Sequence, residues 1–338
     1  MYVVVLVGVF IIALAFTWFL RRYALAKSLM DVPNHRSSHT VPTPRGGGMA
    51  IVIVFLLSLI GLFASGQLDL NLALALVVGG GIVALVGFLD DHGHIAARWR
   101  LVSHFLAAAW VLYWLEGSLT LILPGVVIVA PWIMYILAAF FLVWMLNLYN
   151  FMDGIDGIAS VEAISVCVGG ALIYWLLGSF EQVLILLVLA AAVGGFLVWN
   201  FPPAKIFMGD AGSGFLGLIL GSLAISAMLT EPNLLWSWLI LLGVFIFDAT
   251  WTLIRRLLRG EKVYEAHRSH AYQSASRVFG AHLSVTLAVL CINVGWLLPW
   301  AIIVALGHIN GLLGLIVAYL PLAVLSLRFN AGAAEGRA

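Results

Sequence analysis

The sequence predicts an all-α polytopic membrane protein, and three observations lead to this fold class. Of the 338 residues, 64% are hydrophobic and only 9% are charged, and the mean hydropathy is +1.12. A soluble domain carries about 45–50% apolar and about 25% charged residues. The apolar residues form long runs, and the basic residues fall between alternate runs. These features exclude a soluble, fibrous, disordered or disulfide-built protein.

The lengths of the apolar runs predict the membrane spans. A helix needs about 20 mostly apolar residues to cross the hydrocarbon core. By that measure we expect about eleven transmembrane helices, which occupy the ranges 2–20, 46–66, 70–89, 101–116, 131–149, 158–178, 183–200, 213–229, 236–254, 282–304 and 311–327. The stretch 117–130 is apolar but short, rich in β-branched residues and interrupted by Pro124-Gly125, so we expect a small periplasmic hairpin there.

The positions of Lys and Arg predict the orientation. No basic residue precedes the first apolar run, and Arg21 and Arg22 follow it, which indicates an uncleaved helix with its N-terminus outside. With eleven spans the C-terminus is cytoplasmic, and all 16 Lys and Arg residues lie in inner loops, in the tail or at adjoining span ends. We therefore expect a single integral membrane domain, 1–338, with cytoplasmic catalytic loops at 21–45, 90–100, 150–157, 201–212 and 255–281.

Charge and cysteine content exclude some partners. A net charge of +1 provides no general attraction to nucleic acid. Cys167 and Cys291 each sit in an apolar run, where we expect buried apolar side chains and neither a disulfide nor a metal pair.

Acidic residues are concentrated at the predicted cytosolic ends of the spans. Charges at membrane depth are costly and usually functional. Glu162 and Asp248, taken singly, fit ordinary charges at helix ends equally well. The seven acids are Asp90, Asp91, Asp153, Asp156, Glu162, Asp210 and Asp248.

The segment GFLDDHGH (87–94) contains two adjacent carboxylates. Asp90 and Asp91 repel each other, and both stay ionised only beside a cation; otherwise one pKa rises. A carboxylate with a raised pKa is a candidate general base.

The segment NLYNFMDGIDGIAS (147–160) places three oxygen-bearing side chains at steps of three residues. Asn150, Asp153 and Asp156 would share one face if this segment is helical. Hard oxygen ligands at that spacing suit Mg²⁺, and a helix-capping loop is the alternative.

The segment KIFMGDAGSGFLG (205–217) is a glycine-rich loop that runs into a predicted helix. The free N–H groups of a helix N-terminus attract anions. Asp210 fits such an anion site only if it holds a cation that the anion also binds. The segment lacks the Gly-Lys-Ser/Thr of a soluble P-loop.

Two basic loops complete the predicted site. Topology alone explains Arg255, Arg256 and Arg259, but not four of nine histidines in two loops. A zinc site is disfavoured because no cysteine accompanies them. Carboxylates, an anion site and clustered Arg and His residues together indicate phosphoryl transfer at the membrane–cytosol interface. The Arg and His candidates are His35, Arg36, His39, Arg45, His267, Arg268 and His270.

These motifs, in this order, resemble the polyprenyl-phosphate N-acetylhexosamine-1-phosphate transferases (glycosyltransferase family 4). The resemblance runs from DVPNHRSSHTVPTPRGGG (31–48) to the HRSH loop (267–270). It implies a bacterial inner-membrane enzyme, active at the cytoplasmic face, that moves a sugar 1-phosphate from a UDP-sugar to undecaprenyl phosphate and releases UMP. It also implies Mg²⁺ as cofactor, with Mn²⁺ as a substitute.

The resemblance also implies roles for individual residues. Asp210 and Asn150 would bind the metal. Asp90, as the preferred base for the lipid phosphate, Asp91 and Asp210 would be catalytic. Residues implied to contact the substrate are Asp153 and Asp156 in the nucleotide pocket, Phe207 stacked on uracil, Arg45, and His267, Arg268 and His270 at the donor phosphates or sugar. Weaker candidates are Lys205, Ser213, His35, Arg36 and His39.

One departure bears on the donor sugar. His270 is followed by Ala-Tyr-Gln where the peptidoglycan and N-acetylglucosamine enzymes carry a longer histidine run. We therefore expect the O-antigen-initiating branch, with a 6-deoxy sugar such as N-acetylfucosamine or N-acetylquinovosamine, or N-acetylglucosamine itself. The alternatives are the phospho-MurNAc-pentapeptide transferase, and outside enzymes a transporter, a flippase or an inactive scaffold. A homodimer and a two-step aspartyl-phosphate route stay open.

Overall fold

In its described residues, the protein is an α-helical bundle with two short antiparallel strand pairs. The computed structural model describes residues 2–33, 38, 39, 41–93, 95–261 and 267–334. Its first half comprises α1 (Tyr2–Ala26), β1 (Met30–Asp31), β2 (Thr43–Pro44), α2 (Met49–Ala64), α3 (Leu70–His92), α4 (Ala97–Trp114), β3 (Leu121–Leu123), β4 (Val126–Ile128) and α5 (Pro131–Met152). The second half comprises α6 (Ile158–Leu176), α7 (Phe180–Asn200), α8 (Asp210–Thr230), α9 (Leu234–Leu241), α10 (Gly243–Leu258), α11 (Ala271–Phe279), α12 (His282–Ile292), a π-helix (Asn293–Leu297), α13 (Leu298–Ala305) and α14 (Gly311–Arg328).

The helices confirm a multi-pass membrane fold. In the described parts, 8 helices are long and apolar enough to cross a bilayer, or 9 if α9 and α10, which meet at a 75° bend, are one span. Each of the predicted ranges coincides with a helix or a broken helix, although α2 has only 16 residues and α4 begins with Arg98 and Arg100. The total of eleven spans and the N-terminus-outside orientation stay predictions.

The centre of the bundle is α8, whose side chains are almost all buried. It packs against α3 and α5. A Cβ at Gly217 would collide with the backbone of Met145 and Leu146, and one at Gly87 with the backbone of Ala211. Small residues at helix contacts allow this close approach in membranes. The packing brings the ends of α3 and α5 to the start of α8.

The predicted hairpin is confirmed as β3 and β4, which pair antiparallel across Pro124-Gly125. Gly125 supplies the positive φ of +74° that the turn requires. Its periplasmic location stays a prediction. Cys167 is buried as predicted, whereas the prediction for Cys291 is wrong: it is exposed, since an apolar residue on the outer face of a membrane bundle needs no protein cover.

Candidate active site

A cavity of about 210 Å³ opens at the end of the bundle where α3 and α5 end and α8 begins, which we call the polar end. Side chains from segments far apart in sequence converge there. Nine of the residues predicted to form the site line this cavity: His39, Arg45, Asp91, Asn150, Asp153, Asp156, Phe207, Asp210 and Ser213.

The turn between α5 and α6 carries three of these residues. The prediction that Asn150, Asp153 and Asp156 share a helix face is wrong, because α5 ends at Met152 and Asp153 already has a non-helical backbone. Gly157, with a φ of +75°, then reverses the chain into α6. The three side chains meet at the cavity through this turn instead of along one helix.

The cavity concentrates negative charge around Asp153. Burial, and next the carboxylates of Asp210, Asp156 and Asp91, raise the pKa of Asp153 well above its ordinary value. Within the described part of the chain, no hydrogen bond or ion pair engages the Asp153 carboxylate, so its oxygens are available to a cation. A positive charge at this point would favour its ionised form.

The donor set suits a hard cation that brings further ligands with it. Asp210, Asn150 and Asp153 offer only hard oxygen donors, which Mg²⁺ prefers. Among the described residues, no three or more His, Cys, Asp or Glu side chains form a closed metal site. Proteins typically bind Mg²⁺ through one or two carboxylates plus substrate phosphates, without a complete protein cage. The residues present therefore fit Mg²⁺ bound together with a phosphate ligand.

The N-terminus of α8 is fixed by Asp91. This buried carboxylate accepts hydrogen bonds from the backbone N–H groups of Asp210 (3.3 Å) and Ala211 (3.4 Å). Carboxylates are stabilised at helix N-termini by the free N–H groups and the helix dipole. Arg45 donates to the backbone carbonyl of Asp91 at 2.5 Å. Asp91 thus sets the place of Asp210 and of one cation, Arg45.

The three consecutive glycines after Arg45 dock against the segment before α8. Phe207 N–H donates to the Pro44 carbonyl (2.8 Å), Gly47 N–H to the Phe207 carbonyl (2.9 Å) and Gly48 N–H to the Met208 carbonyl (2.8 Å). This ladder carries the Arg45 side chain and the Phe207 ring to the same cavity. The Phe207 ring also meets the ring of His39 edge-on, with centroids 4.8 Å apart.

Arg100 is a site residue that the sequence reasoning missed. Its guanidinium donates to Asp90 at 2.5 Å and to Asp210 at 3.2 Å, and so bridges the two motifs. Asp90 also accepts from the Ile95 N–H at 2.7 Å. The sequence did contain a signal for this role. Arg98 and Arg100 lie in the first turn of α4, where a positive charge is unfavourable next to the helix dipole, so an acidic partner is expected nearby.

Two further residues were missed at the Asp156 side of the cavity. His282, predicted to be only a span-end residue, lies 3.2 Å from the Asp156 carboxylate, which also accepts from the Ala204 N–H. Asn200 is buried, accepts from the Gly157 N–H and donates to the Ile206 carbonyl. A polar residue two positions before Pro202-Pro203, at the end of an apolar span, was the available signal.

Other predicted residues lie elsewhere. Arg268 lines an adjoining cavity of about 650 Å³, which shares Phe207 and Asp156 with the first. His270 is buried against Asp248 (3.3 Å), and its neighbour His267 is half-buried, where burial, then His270 and Arg256, lower its pKa to about 3.

The remaining predictions concern four positions. Asp90, described above, lies beside the cavity at Arg100 and outside its lining. Lys205 lies over the Trp199 ring. His35 and Arg36 fall outside the described residues.

The chain is similar in sequence to several known proteins. The family model described as "Glycosyl transferase family 4" matches residues 73–228. The chain is 32% identical to a Bacillus subtilis (strain 168) protein named probable undecaprenyl-phosphate N-acetylglucosaminyl 1-phosphate transferase, over 82% of this chain and 77% of that protein. It is 28% identical to the decaprenyl-phosphate N-acetylglucosaminephosphotransferase of Mycolicibacterium smegmatis (81% and 75% covered). It is 30% identical to the phospho-N-acetylmuramoyl-pentapeptide-transferase of Streptococcus pneumoniae (strain Hungary19A-6) (76% and 81% covered).

Proposed function

Because the chain belongs to the polyprenyl-phosphate hexosamine-1-phosphate transferases of glycosyl transferase family 4, we propose that it transfers an N-acetylhexosamine 1-phosphate from a UDP-sugar to undecaprenyl phosphate. In this reaction an oxygen of the lipid phosphate attacks the sugar-side phosphorus of the donor. The bond between the two donor phosphates breaks, UMP leaves, and undecaprenyl-diphospho-sugar forms. The observation that carries the proposal is the convergence of Asp210, Asn150, Asp153 and Phe207 on one cavity at the end of an apolar bundle.

We propose that Asp210 and Asn150 bind Mg²⁺, with Mn²⁺ as a substitute. When bound, the ion would neutralise the donor diphosphate and act as a Lewis acid. Arginine side chains of the protein also offset the negative charge of the phosphates. Arg45 lines the cavity, and Arg100 touches Asp210. Two phosphate groups repel each other strongly where water is partly excluded, so both cations lower the cost of their approach.

The nucleotide is assigned to the side of the cavity formed by Phe207 and Asp156. The Phe207 ring offers an aromatic face for uracil, and stacking on an aromatic side chain contributes about 1–3 kcal/mol per base. Asp156 is held by His282 and by the Ala204 N–H, so its remaining lone pairs have a fixed direction. Asp153 completes this side of the cavity.

Asp90 is assigned as the base that accepts the last proton of the lipid phosphate. The side chains of Leu89, directly before Asp90, and of Trp99, directly before Arg100, are exposed. Exposed apolar side chains beside Arg100 suit a phosphate attached to an isoprenoid chain. We propose a one-step transfer, because a carboxylate that binds the metal ion, as proposed for Asp210, is a poor free nucleophile for an aspartyl-phosphate route.

The polar end is assigned to the cytoplasm of a bacterial inner membrane, since the Lys and Arg residues cluster there. As donor sugar we propose a 6-deoxy N-acetylhexosamine or N-acetylglucosamine, for the initiation of O-antigen. Tyr272 and Gln273 stand where the related enzymes continue their histidine run. The Tyr272 hydroxyl donates to the Phe151 carbonyl, and Gln273 lines the cavity. The S. pneumoniae relative supports UDP-MurNAc-pentapeptide as the second candidate donor.

A donor panel tests the proposal. Purified protein is incubated with Mg²⁺, undecaprenyl phosphate and UDP-sugars radiolabelled in the sugar: N-acetylfucosamine, N-acetylquinovosamine, N-acetylglucosamine and MurNAc-pentapeptide. We expect label from one of the first three to enter the lipid phase with release of UMP. Transfer of MurNAc-pentapeptide alone would select the second candidate. Release of UDP, or transfer from none of the donors, would refute the proposed function.

A further inference from the structure

The chain leaves α14 through a turn of defined geometry. The Asn330 N–H, at a residue with a positive φ of +52°, donates to the Leu327 carbonyl at 3.2 Å. The Ala331 N–H donates to the Ser326 carbonyl at 2.8 Å. These two bonds form a Schellman motif, which ends a helix and turns the chain away from its axis. Residues 330–332, which we call the α14 turn, therefore have a fixed direction.

Two arginines at the end of α10 hold the α14 turn. Arg255 Nη1 donates to the Ala331 carbonyl at 2.8 Å, and Arg259 Nη1 donates to the Gly332 carbonyl. Hydrogen bonds from charged donors are stronger than those between neutral groups. Topology alone explains basic residues at these positions, but not their donation to two successive carbonyls.

The α14 turn in its turn holds the loop 267–270. The Gly332 N–H donates to the carbonyl of Ser269 at 2.6 Å, and Ser269 is buried. Directly before the turn, the Phe329 ring meets the ring of Phe279, the last residue of α11, with centroids 6.1 Å apart. The segment after α14 thus links the end of α10 to the loop and to α11.

Position 332 accepts only glycine without a change in this contact. Its φ of +71° lies in the left-handed region, which residues with a side chain rarely adopt. A Cβ at Gly332 would lie 2.9 Å from Arg255 Cβ and 3.1 Å from the Thr252 carbonyl oxygen. Carbon atoms pack at about 3.5 Å or more, so a side chain here forces the α14 turn away from α10.

The loop that the α14 turn holds carries Arg268. This residue, directly before Ser269, lines the adjoining cavity of about 650 Å³, which shares Phe207 and Asp156 with the first cavity. Its carbonyl accepts from Arg277 Nη1 at 3.1 Å. Because adjacent residues share a planar peptide unit, the hydrogen bond to Ser269 also restricts the backbone of Arg268.

Asp248 of α10 holds the residues that follow Ser269. Its carboxylate accepts from the N–H groups of Ala271 (2.9 Å) and Tyr272 (3.0 Å) and lies 3.3 Å from the His270 ring. A carboxylate at this place stabilises the N-terminus of α11. The α14 turn extends this support of the loop to Ser269.

We propose that Gly332, held by the two arginines of α10, is a positioning residue that fixes Ser269 and thereby the place of Arg268 at the adjoining cavity. The proposal rests on the proposed function in one respect: Arg268 is taken to contact the phosphates or the sugar of the UDP-sugar donor. A turn that only ends α14 would leave the loop 267–270 unchanged when Gly332 is replaced.

Two glycines with the same backbone conformation separate these roles. Gly332→Ala introduces the Cβ that collides with α10. Gly307→Ala is the control, because its φ of +73° carries the same backbone penalty and its Cβ would meet no atom within 4 Å. Arg255→Gln removes the donor to the Ala331 carbonyl, and Arg328→Gln is the control for loss of a basic residue, at an exposed position.

Hydrogen–deuterium exchange of the purified protein tests the structural part without reference to activity. We expect faster exchange in peptides covering 267–270 and 329–333 for Gly332→Ala and Arg255→Gln, and wild-type exchange in both controls. Unchanged exchange of 267–270 in Gly332→Ala, or an equal increase in Gly307→Ala, would overturn the proposal. If Gly332→Ala does not fold, Arg255→Gln decides: wild-type exchange of 267–270 in that variant would overturn the proposal.

Kinetics test the functional part. A displacement of about 1 Å at a site can cost about 100-fold in rate, so we expect kcat/KM for the donor to fall about 10- to 100-fold in Gly332→Ala. The KM for undecaprenyl phosphate should stay at its wild-type value, since Arg268 is assigned to the donor.

A double substitution tests whether the effect passes through Arg268. In the Arg268→Gln background, Gly332→Ala should lower the donor kcat/KM by no more than about twofold further, because the positioned guanidinium is already absent. The full fall in that background, or an equal loss towards both substrates, would contradict positioning through Arg268. Failure of the proposed function would appear separately, as absence of transfer by the wild type, and would leave the exchange pattern as expected.

Discussion

The contact between Gly48 and the start of α8 allows a quantitative test of the site geometry. A Cβ at position 48 would lie 2.5 Å from Gly212 Cα and 2.8 Å from the Met208 carbonyl oxygen. Carbon atoms pack at about 3.5 Å or more, so Gly48→Ala forces the segment after Arg45 about 1 Å away from α8. Both neighbours are backbone atoms and cannot rotate aside.

The expected loss follows from that displacement. A misplacement of about 1 Å can cost about 100-fold in rate, equivalent to about 2.7 kcal/mol of transition-state stabilisation. We therefore expect Gly48→Ala to lower kcat/KM about 100-fold in a detergent assay of lipid-linked product. The midpoint temperature of thermal unfolding should fall as well, because overpacking costs about 1–3 kcal/mol of folding free energy.

Gly61→Ala is the matched control. Gly61 lies in α2, the helix that begins directly after Gly48, and a Cβ there would meet no atom within 4 Å. Its replacement should leave kcat/KM unchanged and slightly raise the thermal stability, since Ala is favoured over Gly inside helices by about 1 kcal/mol. Wild-type activity in Gly48→Ala, or an equal loss in Gly61→Ala, would refute the packing argument.

Three further substitutions probe individual contacts at the site. Arg100→Gln leaves two carboxylates facing each other without their bridging cation, and we expect kcat/KM to fall about 100-fold, with the exposed Arg98→Gln close to wild type. His282→Gln weakens the support of the nucleotide-side carboxylate, so the donor KM should rise about tenfold, while His308→Gln at the opposite end has no effect. Phe207→Leu removes the stacking surface for uracil and should raise the donor KM about tenfold at nearly constant kcat.

Steady-state kinetics with purified variants check all three. The account of Arg100 is contradicted if both arginine variants behave alike. An unchanged donor KM in His282→Gln would show that this histidine does not contribute to donor binding through Asp156. A fall in kcat at constant donor KM in Phe207→Leu would exclude the stacking role.

Much of the fold could be predicted from the sequence because hydropathy fixes which segments enter a membrane. The runs that became α1, α3 and α8 are apolar over the length of a bilayer, and the Pro124-Gly125 turn interrupts the one run that forms a hairpin. The bend between α9 and α10 could not be predicted, since Leu241-Leu242-Gly243 resembles any apolar helix and tertiary contacts determine the break.

Only those site residues could be predicted that belong to a motif of neighbouring residues in the sequence. Clustered carboxylates and a glycine-rich loop identified Asp153 and Asp210, which meet at one cavity. The helix-face argument for residues 150–156 was wrong because α5 ends at Met152 and the chain turns at Gly157, where φ is positive. Arg100 and His282 were missed because their roles arise from partners far away in sequence, Asp90 and Asp156, and a single sequence does not reveal such pairs.

The most direct test of the central claim measures UMP release as a function of Mg²⁺ concentration in the wild type and in Asp210→Ala, with Glu231→Ala as an exposed control at the opposite end of α8. The account predicts saturable dependence on Mg²⁺ in the wild type and in the control, loss of activity with EDTA and its return with Mn²⁺, and no Mg²⁺-dependent release in Asp210→Ala. Mg²⁺-dependent release that survives in Asp210→Ala, or wild-type release that persists in EDTA, would contradict it.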